Sequence, residues 1–313
     1  MTTIISFDGD GSGLCAHMRH IFSDYKLCER LDLENIIAYP GFKAIFEINA
    51  MSNIHDLAPS NSLPLQSIPQ EYFNSRNSFD TFCFNNGIKY VLSGAHHFSD
   101  PFLKLFKSGI GDLRNQMYMY FSGFRLSEPM QQYIQTLCDK SSHKYNAFHI
   151  RTFYDSIEGR KMYEEYKLSI SFVILSLAKS FSDRPSYVFC DNPSVGEKYA
   201  LKIARITKSP ASYATNQLLH SGIMYLDPSL VNIHQKLEIE VIHRQNSSQR
   251  NIIFNHLKPS LADLYLMSKA KVLITTQSSF GMMPSVIFPW SIECQHMVVP
   301  YSNQFACVAS QPY

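Results

Sequence analysis

Apolar positions along this chain change period several times, and the changes predict alternating strands and helices. Residues 3–7 (TIISF) form a short apolar run that reads as a strand. A helical pattern follows over about 14–31, then a second strand near 36–39. Between the first two lies the loop DGDGSG at 8–13. A strand, a glycine loop, a helix and a strand in that order open a Rossmann-like domain. Residues 51–80 are rich in Asn, Ser and Pro, without sustained period. They read as a long loop or irregular insertion, of the kind that often shapes an acceptor site. KYVLS at 89–93 is another short strand, and 95–126 is mixed and aromatic. Ser127-Glu128-Pro129 then starts a helix whose apolar face is Met130, Tyr133, Ile134 and Leu137.

The polar segment CDKSSHK at 138–144 is the candidate domain boundary. Beyond it the alternation is cleaner. A strand ends in Ala147-Phe148-His149-Ile150-Arg151, and a helix covers about 161–180. The strand at 187–190 ends in Asp191-Asn192-Pro193 and leads into a helix over 194–207. Residues 208–258 are less regular, with a charged helix near 232–244. In 259–288, Ser260 is placed to cap a short helix carrying Leu261, Leu264 and Met267. A buried strand at 272–275, a small-residue corner at 276–281 and an apolar helix through Met282, Met283 and Val286 follow. A last strand lies near 297–300. The pattern predicts an α/β protein of two Rossmann-like domains facing across a cleft, one at 1–140 and one at 141–313.

Composition narrows the function. The 313 residues are 45% apolar and 17% charged, enough for two packed cores. Net charge is +2, with Lys and Arg scattered, which argues against a nucleic-acid partner while leaving room for a local anion site. The 22 Phe and 18 Tyr suit sugar or base stacking as well as a core. Seven cysteines are widely spaced, with no CxxC pair and no Cys/His metal spacing. They read as buried thiols in a reducing compartment. The N-terminal residues lack the basic start and apolar core of a signal peptide. No run reaches the roughly 18 apolar residues of a membrane helix. Cytoplasmic localisation is the expectation.

Candidate chemistry gathers at the predicted strand ends, where open parallel sheets bind ligands. His149 and Arg151 are two apart on one strand and share a face. Arg151 suits a diphosphate, or it is a structural arginine beside a core histidine. Asp191 and Asn192 either cap the helix after them or lie beside a ligand. Asp263 is a helix-dipole carboxylate or an acceptor for both guanine N–H groups. The 8–13 loop lacks the full GxGxxG spacing, and no acid closes the next strand. That excludes a dinucleotide fingerprint. The hydroxyl-rich corner at 276–281, opening onto a predicted helix, reads as a phosphate cradle or as an ordinary connection.

Three segments together resemble one family. HIR at 149–151, DNP at 191–193 and DLYLMSKAKVLITTQSSF at 263–280 are similar, in this order, to motifs of the α-1,6-fucosyltransferase, nodulation fucosyltransferase and protein O-fucosyltransferase superfamily. GSGLCAHMRH at 11–20 resembles that family's N-terminal glycine–histidine stretch more loosely. The resemblance covers about 130 C-terminal residues well and the first 40 loosely. It implies a GT-B fold and inverting transfer from GDP-fucose, with no cofactor and no bound metal. The acceptor would be a glycan, glycolipid or protein. By position, Arg151 would hold the β-phosphate with His149 in support, and Asp263 would read guanine. Ser278, Ser279 and Phe280 would line the donor site, Asp191 and Asn192 would lie beside it, and Gly11 and Gly13 would approach it from the loop. The second arginine usual in the α-1,6 enzymes is absent, since Thr152-Phe153-Tyr154 follow Arg151, and a single arginine would meet the phosphates, as in other branches of the superfamily. Candidates for the catalytic base are Glu158 and Asp155, placed in the loop after HIR. Alternatives are a GT-B transferase using GDP-mannose or an ADP-heptose type donor, or a non-catalytic nucleotide- or sugar-binding protein of this fold.

Overall fold

The structure, a computed structural model, describes residues 2–7, 14–38, 42, 45–47, 61–93, 110–138, 145–153, 157–214, 247–299 and 308–309. Its first elements are strand β1 (Thr3–Phe7), helix α1 (Leu14–Leu31) and strands β2 (Glu34–Ala38), β3 (Phe46–Glu47) and β4 (Ser62–Pro64). Helix α2 (Arg76–Asn85), strand β5 (Tyr90–Ser93), helix α3 (Ile110–Ser122), strand β6 (Arg125–Leu126) and helix α4 (Glu128–Cys138) follow. Then come β7 (Asn146–Ile150), α5 (Ile157–Ser180), β8 (Ser186–Cys190), α6 (Pro193–Thr207) and β9 (Ala211–Tyr213). The chain closes with α7 (Ser247–Ser268), β10 (Val272–Thr276), the one-turn α8 (Ser279–Met282), β11 (Gln295–Val299) and β12 (Val308–Ala309). The described residues form two compact units. One holds those up to 93 with 124–129 and 247–254, the other those at 110–123, 130–214 and from 255 on.

The first unit is built on a parallel sheet in the order β2-β1-β5-β4. One face packs Ile4 and Val91 against Leu27 and Leu31 of α1 and Phe79 and Cys83 of α2. At the C-terminal ends of β1 and β5 lies a buried polar cluster. Ser6 Oγ and Ser93 Oγ donate to the two oxygens of Asp24, at 2.5 and 2.8 Å, and His20 Nε2 is 3.0 Å from Ser93 Oγ. Burial raises the Asp24 carboxyl to about 7, against the lowering effect of the two serine hydroxyls. The segment expected to be irregular up to residue 80 is ordered from 61 on. Ser62–Pro64 joins the sheet, and Ser75 caps α2 by accepting from Ser78 N at 3.2 Å. A three-residue strand is too short to show a period, so only its pairing with β5 defines it.

The second unit carries a six-stranded sheet in the order β12-β11-β10-β7-β8-β9, parallel except for β12. β7 lies in its middle and is buried at every position, so Ala147, Phe148 and Ile150 pack in the interior, and Asn146 and His149 are buried with them. Ile170, Ile174 and Ala178 of α5 and Tyr199, Ala200 and Ile203 of α6 share one core with Phe148, Ile150 and Val188. Five described cysteines (Cys15, Cys28, Cys83, Cys190 and Cys294) are buried free thiols.

Three local expectations need correction. The helix before β10 is not a short one capped by Ser260, because α7 begins at Ser247 and runs through Pro259. Burial of Leu257, Leu261 and Leu264 carries the helix across the missing proline N–H. Asp263 consequently sits deep inside this helix rather than near its start. The apolar helix expected after the corner is one α-turn, Ser279–Met282, passing into a 3-10 turn at Met283–Ser285 that contains Pro284. Glu158, expected in a loop, falls in the first turn of α5, its side chain outside the described residues. The loop with Gly11 and Gly13, Asp155, the helix expected at 232–244 and the strand end at Pro300 also lie outside them.

Candidate functional site

In the second sheet the chain runs β7, β8, β9 in one direction, then returns to place β10 on the other side of β7. The connections after β7 and β10 therefore diverge, and ligands bind in the crevice left at the carboxyl ends of such strands. The residues singled out in the sequence at 149, 151, 191 and 276–281 meet at this edge.

His149, fully buried near the end of β7, stands opposite Thr275 of β10. Its ring lies 5.4 Å from that of Phe280, tilted by 38°. Behind it is Gly281, where an added Cβ would sit 3.0 Å from Thr275 Cβ and Ser278 Oγ and 3.1 Å from His149 Nδ1. No larger residue fits between the corner and the imidazole without displacing one of them.

Arg151 follows the end of β7. Its backbone N–H donates to Thr276 Oγ1 at 2.8 Å, and its guanidinium Nη1 donates to Asp191 Oδ2 at 2.9 Å. The arginine side chain is 14% exposed and its aspartate partner 0%, so the pair is desolvated on one side only. Phe153 places its ring 5.1 Å from the guanidinium carbon. It does so from a left-handed backbone, φ 52°, which an aromatic residue rarely adopts.

Asp191 holds more than the arginine. Its Oδ1 accepts from Thr152 N at 2.6 Å and from Thr152 Oγ1 at 2.8 Å. It is a strut under the 151–152 backbone. Asn192 takes the capping role weighed for it: its Oδ1 accepts from Val195 N at 3.4 Å, with Pro193 opening α6. Ser278 similarly caps α8, accepting from Gly281 N at 2.9 Å. One α-turn has little macrodipole, so the charge to meet an anion here comes chiefly from Arg151 rather than from a helix end.

Asp263 is fully buried in α7, and burial holds its carboxyl well above the usual range. Its charge raises Tyr133 after burial does, and both Asp263 and Asp191 act in the same direction on Tyr213, for which burial is again the larger cause. A second buried chain backs the corner. Thr275 Oγ1 lies 2.9 Å from His296 Nε2, and His296 Nδ1 lies 2.8 Å from Ser285 Oγ. Burial, and then the charge of Arg114, lowers His296 to about 3, so this imidazole is a neutral bridge between hydroxyls.

Thr152, Phe153 and His296 belong to this architecture without having been singled out for it, and Thr276, the first residue of the predicted corner, holds the Arg151 backbone. A threonine pair ending a buried strand was the available signal for Thr276. Nothing local to residues 296 or 153 announces their roles. Among the described residues no group of three or more His, Cys, Asp or Glu could hold a metal, and no helix is long and apolar enough to cross a membrane.

Parallel strands, a switch point and an arginine at the carboxyl edge define an α/β protein with a candidate ligand site. Known structures make the fold more specific. Over 97% of this chain and 96% of the other, it is similar to NodZ α-1,6-fucosyltransferase soaked with GDP-fucose, at 11% identity and a TM-score of 0.51. Weaker likenesses are to fucosyltransferase NodZ from Bradyrhizobium (11% identity, 99% of each chain, TM-score 0.49) and to POFUT1 in complex with GDP (9%, 96% and 98%, TM-score 0.48). The chain thus has a GT-B-like fold, as the three sequence segments implied. No family model matches the sequence, and no curated protein does.

Proposed function

We propose that this protein is an inverting, metal-independent glycosyltransferase that moves fucose from GDP-fucose to a glycan, glycolipid or protein acceptor. The observation that carries the reading is Arg151, anchored by Asp191 and Thr276 beside the switch between β7 and β10. In the transfer, an acceptor oxygen forms a bond to the sugar's anomeric carbon as the bond to the β-phosphate oxygen breaks. Negative charge grows on the departing diphosphate, and a preoriented guanidinium meets it. A forked cation suits two phosphate oxygens better than an ammonium. His149 supports the same phosphate, and Ser279 and the Ser278 hydroxyl hydrogen line its far side. Asp263 reads guanine by its place in the motif: two N–H donors from a ligand would stabilise the ionised form that burial disfavours. Glu158 or Asp155 takes the acceptor proton.

Titration with GDP, GDP-fucose, GDP-mannose and UDP, without metal, tests the proposal. Binding of GDP and GDP-fucose but not UDP, followed by fucose transfer in an acceptor screen, supports it. Preference for GDP-mannose would replace the sugar and keep the class. GDP binding without hydrolysis or transfer would make the chain a binding protein, and no binding at all would end the donor-site reading.

A further inference from the structure

Helices α5 and α6 lie side by side on the second sheet, tied by a 2.7 Å contact between Ser171 Oγ and Tyr199 OH and sharing one core. That contact fixes their level, so the middle of α5 faces the middle of α6. Seven large hydrophobic side chains are exposed among the described residues, and four of them lie on these two helices. Leu168 and Phe172, one turn apart on α5, are 79% and 74% exposed, and Leu201 of α6 is 70% exposed, with Ile206 beyond it. Core residues Ile170, Ile174 and Ala178 already occupy the sheet side of α5, so its outer leucine and phenylalanine add nothing to the fold.

The polar residues on this face are biased. Lys198, Lys202 and Arg205 are exposed on α6, against Glu197 alone. On α5, Arg160, Lys161 and Lys179 flank the apolar pair, Glu164 is matched by Lys167, and Glu165 is the other exposed acid described on this helix. Apolar side chains bordered by lysine and arginine are the composition of a helix face that lies in a headgroup layer, with its hydrophobes among the acyl chains and its cations on lipid phosphates.

We propose that the outer face of α5 and α6 docks on an anionic phospholipid surface, independently of what the edge of the same sheet binds. Flotation of the full chain with vesicles of phosphatidylcholine alone, or mixed with phosphatidylglycerol, tests this. The protein is expected to float only with the mixed vesicles and to be released at high salt. The double variants Leu168→Ser/Phe172→Ser and Lys198→Glu/Lys202→Glu alter exposed positions only, so an unchanged circular dichroism spectrum is expected. Each should weaken vesicle binding about tenfold or more, the first through lost apolar burial and the second through lost attraction to the headgroups. No flotation with anionic vesicles, or variants that bind as the parent does, would overturn the proposal. So would self-association that Leu168→Ser/Phe172→Ser abolishes in a protein indifferent to vesicles, which would make the face an interface between copies.

Discussion

Removing the Asp191 carboxylate tests the central strut of the candidate site. It accepts from Arg151 Nη1, Thr152 N and Thr152 Oγ1 at 2.6–2.9 Å and from Cys190 Sγ at 3.8 Å, and its side chain is fully buried. Asp191→Ala leaves the guanidinium without this partner and a buried backbone N–H unsatisfied. Breaking a buried ion pair on one side costs about 3–5 kcal/mol, and an unsatisfied buried donor about 1–3 kcal/mol. The arginine retains some water contact, so a total near 3 kcal/mol is expected for the second unit. With a urea slope of about 2 kcal/mol per molar, the unfolding midpoint falls by about 1.5 M. Asp191→Asn keeps one acceptor oxygen and should lose about half as much. A cycle with Arg151→Ala should give a coupling energy of about 1–3 kcal/mol. A midpoint shift below about 0.3 M at constant slope, or a coupling near zero, would refute the strut.

Other expectations can be checked separately. Gly281→Ala puts a methyl group into the wall of Ser278, Thr275 and His149 and should cost about 1–3 kcal/mol in urea unfolding; a neutral variant would show the corner to be loosely packed. Because burial raises Asp24 to about 7 in the fold, the folded protein holds a proton that the unfolded chain releases near pH 4. Its contribution is thus most favourable below pH 4 and diminishes as pH rises towards 7. The stability difference between parent and Asp24→Asn should therefore move against the parent from pH 5 to 7.5, and a flat difference would contradict the buried-acid assignment. Arg151→Lys is expected to lower GDP affinity at least tenfold in calorimetry, since an ammonium cannot reproduce the fork; equal affinity would remove Arg151 from the phosphate. Turnover should survive EDTA, and metal-dependent transfer would count against a guanidinium-stabilised leaving group.

The sequence by itself determined the alternation of strands and helices and the edge at which chemistry gathers. Strands buried on both faces, such as 146–150 and 272–276, are built mainly of apolar residues, with His149, Thr275 and Thr276 towards their carboxyl ends. His149, Arg151, Asp191 and the 276–281 corner were legible for that reason, and their order along the chain carried the family resemblance. What each side chain does there was decided by tertiary structure. Asp191 and Asn192 are neighbours in sequence, yet one braces Arg151 across two strands and the other caps its own helix. The difference depends on which strand lies beside β8, and strand order leaves no local trace. Ser260 read as the cap of a short helix, but apolar burial on both sides of Pro259 carried α7 through. Thr276 and His296 became parts of the site only when β10 and β11 were laid beside β7. Local period reports how a segment is buried; only packing fixes what it is buried against, and hydrogen-bond partners from distant segments follow from that choice.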